Sequence, residues 1–417
     1  MSPLIRRCLR LAFVPIVLAL LALSLAALSA YAAGEAEGLA LEDPRAAQTC
    51  VDGDQSTGAR YRICMPSNPG TWNGDLVLYA HGYMAYNRPI EIPEEQLTIG
   101  GVSVPGTLTS FGYAFATTSY STNGLAMREA VTDLLDLIEV FSATHGAPDK
   151  VLLTGPSEGG IVTLLALEKH PERFDGGMAL CGPIGGIPAQ INYMGDFRVV
   201  FDYYFPGLLP GDAISIPQAL IDNWETHYTT IVHPAISHPS SAYSLTQVLA
   251  VTGAAVDLAD PTSALTTTQG LLWYSVFATN DARDKLGGQP YDNWTRAYGG
   301  SDDDDALNAG VPRYRADPAA LAALEASYQT TGWLSRPLVT IHTTGDEIVP
   351  YWHQAAYEWK LAAAGRSALQ RHQFVERYGH CAFTSDEVVS AFQRLVSLAE
   401  NPPEVRHRLL LPLVVNE

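Results

Sequence analysis

Lys150-Val-Leu-Leu-Thr-Gly155-Pro-Ser157-Glu-Gly-Gly160-Ile-Val-Thr-Leu-Leu-Ala-Leu-Glu-Lys-His170 is the stretch on which the reading of this chain turns. Lys150–Thr154 is a short apolar run that reads as a buried strand, and Gly155 opens a turn. Glu158–His170 reads as a helix stopped by Pro171. Between them Gly155-Pro-Ser157-Glu-Gly159 fits the pattern G-x-S-x-G and continues as Gly160. The pattern alone is weak in a chain with 35 glycines; a strand before it and a helix after it make it strong. A serine on so tight a turn stands proud of the sheet. Small residues two before and two after it keep Cβ atoms from clashing. The helix that starts there aims its first N–H groups at developing negative charge.

The surrounding texture repeats the same alternation. Asp75–Ala80 and Phe111–Thr117 are strand candidates, Met127–Phe141 has apolar residues at helical spacing, and Asp175–Leu180 is a fourth strand. The pattern resumes at Pro337–His342 (strand), Tyr351–Ala364 (helix), Gln370–Val375 (strand) and Ser385–Leu398 (helix). Short apolar runs alternating with helices predict an α/β protein with a mostly parallel sheet. Between the halves lies a long interruption, residues 183–335, with helical stretches at Pro217–Tyr228, Ser244–Val256, Ser263–Phe277 and Pro318–Tyr328. It is rich in aromatics, among them Tyr203, Tyr204, Trp224, Trp273, Tyr274 and Trp294. It reads as a helical insertion over the strand ends, and composition does not say which of its aromatics line a pocket.

A serine hydroxyl is a poor nucleophile unless a base takes its proton and an acid orients the base. The strand Pro337–His342 ends in Thr343-Thr-Gly-Asp346-Glu-Ile-Val-Pro350, which places Asp346 where the orienting acid belongs, with Glu347 as its competitor. The next strand leads into Arg377-Tyr-Gly-His380-Cys-Ala-Phe, and His380 is the expected base. The other ten histidines fall in strands, helices, the insertion or the tail, or, for His81, in the loop after Leu76–Ala80. That loop, His81-Gly82-Tyr83, and the residue after the serine are expected to supply an oxyanion hole through the N–H groups of Tyr83 and Glu158.

With these parts together the sequence resembles the α/β-hydrolases. The resemblance covers roughly residues 61–182 and 336–398, with the insertion where that family carries a cap. It implies an eight-stranded, mostly parallel sheet flanked by helices, with Ser157 as nucleophile, His380 as base and then acid, and Asp346 as its partner. It implies no cofactor and no metal. The Ser-x-Gly-Gly continuation is similar to prolyl-oligopeptidase-like enzymes and to secreted polyester and feruloyl esterases, a likeness that does not choose between ester and amide. Cys381, directly after His380, is similar to tannases and feruloyl esterases, in which a disulfide tethers the catalytic histidine. In that family the partner cysteine precedes the serine; here Pro156 stands there, and Cys181 is the available substitute.

The N-terminus has the build of an export signal. Arg6, Arg7 and Arg10 precede an apolar run, Leu11–Leu28, and Ala30-Tyr31-Ala32 is a small-x-small cleavage site. Residues 1–32 are therefore expected to be a signal peptide and 33–60 an N-terminal extension; an uncleaved anchor is the alternative. After cleavage Cys50, Cys64, Cys181 and Cys381 remain, an even number in an oxidising compartment. Two disulfides are expected, Cys50 with Cys64 across a loop or hairpin and Cys181 with Cys381, against the alternative of four buried thiols. The destination is secreted or periplasmic, without a stable membrane anchor.

The chain has 417 residues, 47% apolar and 17% charged, so a largely disordered protein is unlike this composition. Its net charge is −19. So acidic a chain repels phosphate backbones and is no nucleic-acid binder. Asp302–Asp305 lacks the alternating spacing of a calcium loop and reads as solvated. Asn293-Trp-Thr295 is a glycosylation sequon, and Leu409–Val415 is too short to span a bilayer. Three functions are weighed: an exported serine esterase acting on a small or polymeric ester, a serine peptidase or amidase with the same triad, and a non-catalytic binding protein on this scaffold. The stretch before the first core strand is too short for an N-terminal propeller of the prolyl-oligopeptidase kind, which favours the esterase.

Overall fold

The computed structural model describes residues 48–404, so the expected signal peptide and the apolar Leu409–Val415 tail lie outside the described residues. The sheet opens with a hairpin, β1 (Gln48–Asp54) and β2 (Arg60–Pro66), paired antiparallel with Cys50 opposite Cys64. Those two cysteines form a disulfide. β1 corrects the expected extension at 33–60, because its residues belong to the main sheet. It is an edge strand with a mostly exposed surface, so no apolar alternation marks it.

β3 (Leu76–Tyr79) is buried along its length. It is flanked in parallel by β4 (Ala114–Thr118) and β5 (Val151–Pro156). β6 (Gly176–Leu180), β7 (Leu338–Gly345) and β8 (Gln370–Tyr378) extend the sheet in parallel. β2 pairs antiparallel with β4 and closes the other side. The strand order is 1-2-4-3-5-6-7-8. Inner parallel strands are covered on both faces, which is why they read as continuous apolar runs. β4 begins three residues later than the sequence suggests. Phe111 caps a short helix, α1 (Val104–Ser110), and Gly112 turns the chain at φ 89°.

α2 (Met127–His145) buries Ala130, Leu134, Leu137 and Phe141 in the core on one face of the sheet. α3 (Glu158–Lys169) is buried from Glu158 to Leu167. Between β6 and β7 the chain is mainly helical. α4 (Ile187–Tyr204), α5 (Ala242–Thr252), α6 (Ser263–Leu286) and α7 (Pro318–Ser327) are its principal helices. They gather a second core around Phe197, Phe201, Trp224, Val248, Leu271 and Val276. α4 has no counterpart in the sequence reading. It buries Gln190, Tyr193, Arg198 and Phe201 on several sides, so a one-sided apolar stripe is missing. The helix expected over Pro217–Tyr228 breaks at Asn223 into Gln218–Asp222 and Trp224–His227. Asn293, the sequon residue, is 1% exposed and donates its amide to the Tyr298 hydroxyl and the Pro312 carbonyl, so it is no glycan acceptor as folded. In the acidic run Asp303 caps the helix Asp304–Gly310. α8 (Trp352–Ala364) and α9 (Ser385–Glu400) complete the fold, α9 starting in a capping box at Thr384 and Glu387.

Candidate active site

β5 turns into α3 at Ser157, whose backbone lies at φ 55° and ψ −121°. A non-glycine residue held there stores about 1–3 kcal/mol of strain. The neighbouring glycines make the turn possible. A Cβ on Gly155 would lie 2.4 Å from the Ala80 carbonyl oxygen, and one on Gly159 only 2.0 Å from it. The chain therefore passes backbone against backbone, and the serine side chain is lifted clear of the sheet.

Three strand ends converge on that side chain. Ser157 Oγ lies 2.9 Å from His380 Nε2. His380 Nδ1 lies 3.0 and 2.8 Å from the two carboxylate oxygens of Asp346. Asp346 follows β7 and His380 follows β8. Asp346 Oδ1 also accepts the N–H groups of Ile348, at 3.0 Å, and Val349, at 2.8 Å. Glu347, its competitor in sequence, makes no hydrogen bond to the imidazole; Tyr193 donates to its main-chain carbonyl.

The electrostatics follow from burial and pairing. Burial pushes the pKa of Asp346 up, but the His380 charge and the hydrogen bonds from His342 and His380 prevail and hold it well below the usual carboxylate range. Burial pulls His380 down, yet the Asp346 charge and hydrogen bond outweigh it and hold the imidazole above its ordinary value. In the sequence His342 reads as the last residue of the strand Pro337–His342. Its Nε2 lies 3.3 Å from Asp346 Oδ2 and 2.8 Å from the Val349 carbonyl oxygen. The only trace of this in the sequence is the i, i+4 step from His342 to Asp346 across the strand end.

The loop after β3, where the sequence leads one to expect an oxyanion hole, lies beside the serine. Gly82 donates its N–H to Gln96 Oε1 at 2.6 Å, and a Cβ on Gly82 would sit 3.4 Å from Ser157 Cβ. Among the described residues no acceptor takes the N–H of Tyr83 or of Glu158. Gln96, absent from the sequence reading, orients this loop and also receives the Tyr79 hydroxyl on its main-chain carbonyl, 2.7 Å away. The Glu158 side chain turns inward, is 4% exposed and accepts the Ala126 N–H at 2.9 Å. Burial raises its pKa to about 8, against the partial pull of that bond.

Cys181 and Cys381 form the second disulfide. Cys381 Sγ lies 3.5 Å from His380 Nε2, so the bridge anchors the histidine loop to the end of β6. Cys181, His380 and Cys381 stand within 4.8 Å of one another, but both sulfurs are bonded and neither is a thiolate for a metal. Among the described residues no helix is long and apolar enough to cross a membrane.

Comparison with models of protein families and with curated proteins finds no match. Solved structures do resemble the chain. An acylaminoacyl peptidase bound to a chloromethyl ketone is 11% identical at a TM-score of 0.41, covering 87% of this chain and 42% of its own. This chain thus spans about two fifths of that protein's length. An esterase of Pyrococcus furiosus is 10% identical at a TM-score of 0.42, covering 87% of this chain and 95% of its own. A rice cell wall degrading esterase from Xanthomonas oryzae is 13% identical at a TM-score of 0.41, covering 85% of this chain and 89% of its own. At such low values the likenesses say nothing of substrate. The strand order 1-2-4-3-5-6-7-8, turning from its fifth strand into a helix through a serine, is the α/β-hydrolase fold.

Proposed function

We propose that the protein is an exported serine hydrolase that cleaves carboxylic esters through an acyl-enzyme. The observation that carries this reading is the hydrogen-bonded relay from Ser157 through His380 to Asp346. Ser157 Oγ attacks the ester carbonyl carbon while His380 Nε2 takes the hydroxyl proton. Asp346 keeps Nδ1–H pointed at itself, leaving Nε2 free to accept, and stabilises the imidazolium that forms. The N–H groups of Tyr83 and Glu158 receive the oxyanion. The C–O bond to the alcohol then breaks as His380 returns the proton to the leaving oxygen. Water enters, gives a proton to His380 and attacks the acyl carbon; the collapse breaks the acyl–Oγ bond as His380 returns that proton to Ser157, and the acid is freed. Residues 183–335 act as a cap over these strand ends.

Export is part of the proposal, supported by the two disulfides, which persist in an oxidising compartment. N-terminal sequencing of the protein recovered outside the cytoplasm should begin near Ala33.

Purified protein should hydrolyse p-nitrophenyl esters and be labelled by a fluorophosphonate at Ser157. Ser157→Ala should abolish both. Undiminished turnover by that variant would refute the relay. A panel of peptidyl amides cleaved faster than every ester would reassign the same machinery to amide bonds.

A further inference from the structure

We propose that the buried side chain of Glu158 is a positioning group for the oxyanion hole, and that through the loop 119–126 it fixes its own N–H against that of Tyr83. This rests on the assignment of those two N–H groups to the oxyanion in the reading above. The role is separate from that of the Glu158 backbone, since it belongs to a carboxyl that touches no reacting atom.

The loop runs from the end of β4 to the start of α2. It grips the Tyr83 segment on both sides. The Tyr120 hydroxyl donates to the His81 carbonyl at 2.9 Å, and the two rings stack with centroids 3.8 Å apart. Gly124 donates its N–H to the Met84 carbonyl at 2.8 Å. Asn123 gives its side-chain amide to the carbonyls of Arg88 and Pro89, at 2.9 and 3.1 Å. The far end of the loop meets the other donor, where Ala126 gives its N–H to Glu158 Oε1 at 2.9 Å. The Glu158 side chain is thus the link between a loop that brackets Tyr83 and the first residue of α3.

The rest of the loop is committed elsewhere. Ser121 donates its N–H to Asp133 Oδ2 at 2.6 Å, and Leu125 donates to Asp281 Oδ2 at 2.7 Å. Gly124 sits at φ 76°, and a Cβ there would lie 2.1 Å from Asp281 Oδ2. A shift at Ala126 is therefore passed on to His81 and Met84 rather than absorbed.

Acid and carboxylate can both accept the Ala126 N–H, but the oxyanion distinguishes them. A carboxylate puts a full negative charge on the residue whose N–H must meet a developing negative charge, and the side chain is too buried for water to screen it. Burial keeps the acid form up to about 8. Lys285 of α6 favours ionisation, while Asp281 of α6 and Glu129 of α2 oppose it. The hydroxyls of Tyr83, Tyr120, Tyr274 and Tyr328 are held protonated by their own burial and add no charge. Burial likewise keeps His81 neutral, down to about 4. The acid is the working form.

The test measures kcat and KM on p-nitrophenyl butyrate across pH for wild type, Glu158→Ala and Glu158→Gln, with Tm recorded for each. Glu158→Ala should lower kcat about 100-fold with KM within about threefold, the cost of a misplaced group. Glu158→Gln still accepts from Ala126 and should recover about tenfold of that loss or more. Wild-type kcat should fall about tenfold from pH 7 to pH 9, and the fall should be missing in Glu158→Gln. A folded Glu158→Ala with kcat like that of wild type overturns the proposal, as does a Glu158→Gln no faster than Glu158→Ala. A wild type without the alkaline fall, or a Glu158→Gln that shows it undiminished, overturns the acid as the working form and, where Glu158→Ala does not fold, the proposal as a whole. If wild type cleaves no ester but reacts with a fluorophosphonate, the labelling rate replaces kcat. The order wild type, Glu158→Gln, Glu158→Ala then keeps the positioning role while the ester reading falls.

Discussion

Asp346 is asked to stay ionised while fully buried, and its neighbours explain how it does so. Two N–H groups and two imidazoles converge on one carboxylate, and together they outweigh the desolvation that burial imposes. The carboxylate in turn holds His380 above its ordinary pKa, so the acid limb of the pH–rate profile should lie above about 6.5. Asp346→Asn should lower kcat on the order of 10⁴-fold and move that limb to lower pH, because the charge that raised it is gone. A pH–rate profile measures both, and an unmoved limb would assign the titration to another group. Glu158 has the opposite sign. Its folded-state pKa of about 8 stands above the ordinary 4.5, so its proton is bound more tightly folded than unfolded. That contribution to stability is complete below about 4.5 and is lost as pH rises through about 8. Glu158→Gln should flatten the fall of Tm across that window, while a slope like that of wild type would show that the carboxyl does not govern it.

At the scale of elements, α6 is the piece that brings the insertion to the site. Several hydrogen bonds fasten it to the core, two of them between the Tyr378 hydroxyl and Thr267 and Ser263. The Tyr83 hydroxyl donates to the Phe277 carbonyl at 3.1 Å, and Asp281 accepts the Leu125 N–H at 2.7 Å while pairing with Lys285 at 3.0 Å. Lys285 also donates to the Asn123 carbonyl. Asp281→Ala should cost about 3 kcal/mol, the lower end for breaking a buried pair, because it strands a buried N–H and leaves Lys285 without its carboxylate. Urea unfolding gives the cost, and hydrogen exchange at the Leu125 amide should quicken; an unchanged amide would show that α6 is held elsewhere. The sequence predicted this helix only to Phe277. Its last turns carry Asp281, Arg283, Asp284 and Lys285, which look like a solvated stretch until the 123–125 loop is laid against them. α4 escaped for the converse reason, being buried on too many sides to show a period.

At the scale of the whole molecule the Cys181–Cys381 bridge joins points 200 residues apart and ends beside the base of the relay. Replacing both cysteines by serine should cost about 2–5 kcal/mol. Activity should fall further than the unfolded fraction accounts for, because the His380 loop loses its anchor. Parallel measurement of Tm and kcat distinguishes this from simple destabilisation, and a kcat equal to that of wild type in the folded variant would remove the bridge from the site. The elbow, the inner strands and the candidate serine, acid and histidine were legible in sequence because each rests on a local pattern. A glycine is needed two residues from a strained serine, a buried parallel strand is apolar throughout, and a functional side chain follows its strand end. What decided the remainder is contact across distance. His380 meets Asp346 from 34 residues away and Ser157 from 223, and no period in the chain records such a meeting. The second imidazole on Asp346, the hold of Gln96 on the loop after β3 and the packing of Tyr274 against Tyr83 all depend on which surfaces the sheet and the insertion bring face to face. The sequence by itself determined which residues stand at the ends of the strands; only the tertiary structure decided what surrounds them, because desolvation and pairing exist only once distant elements have packed.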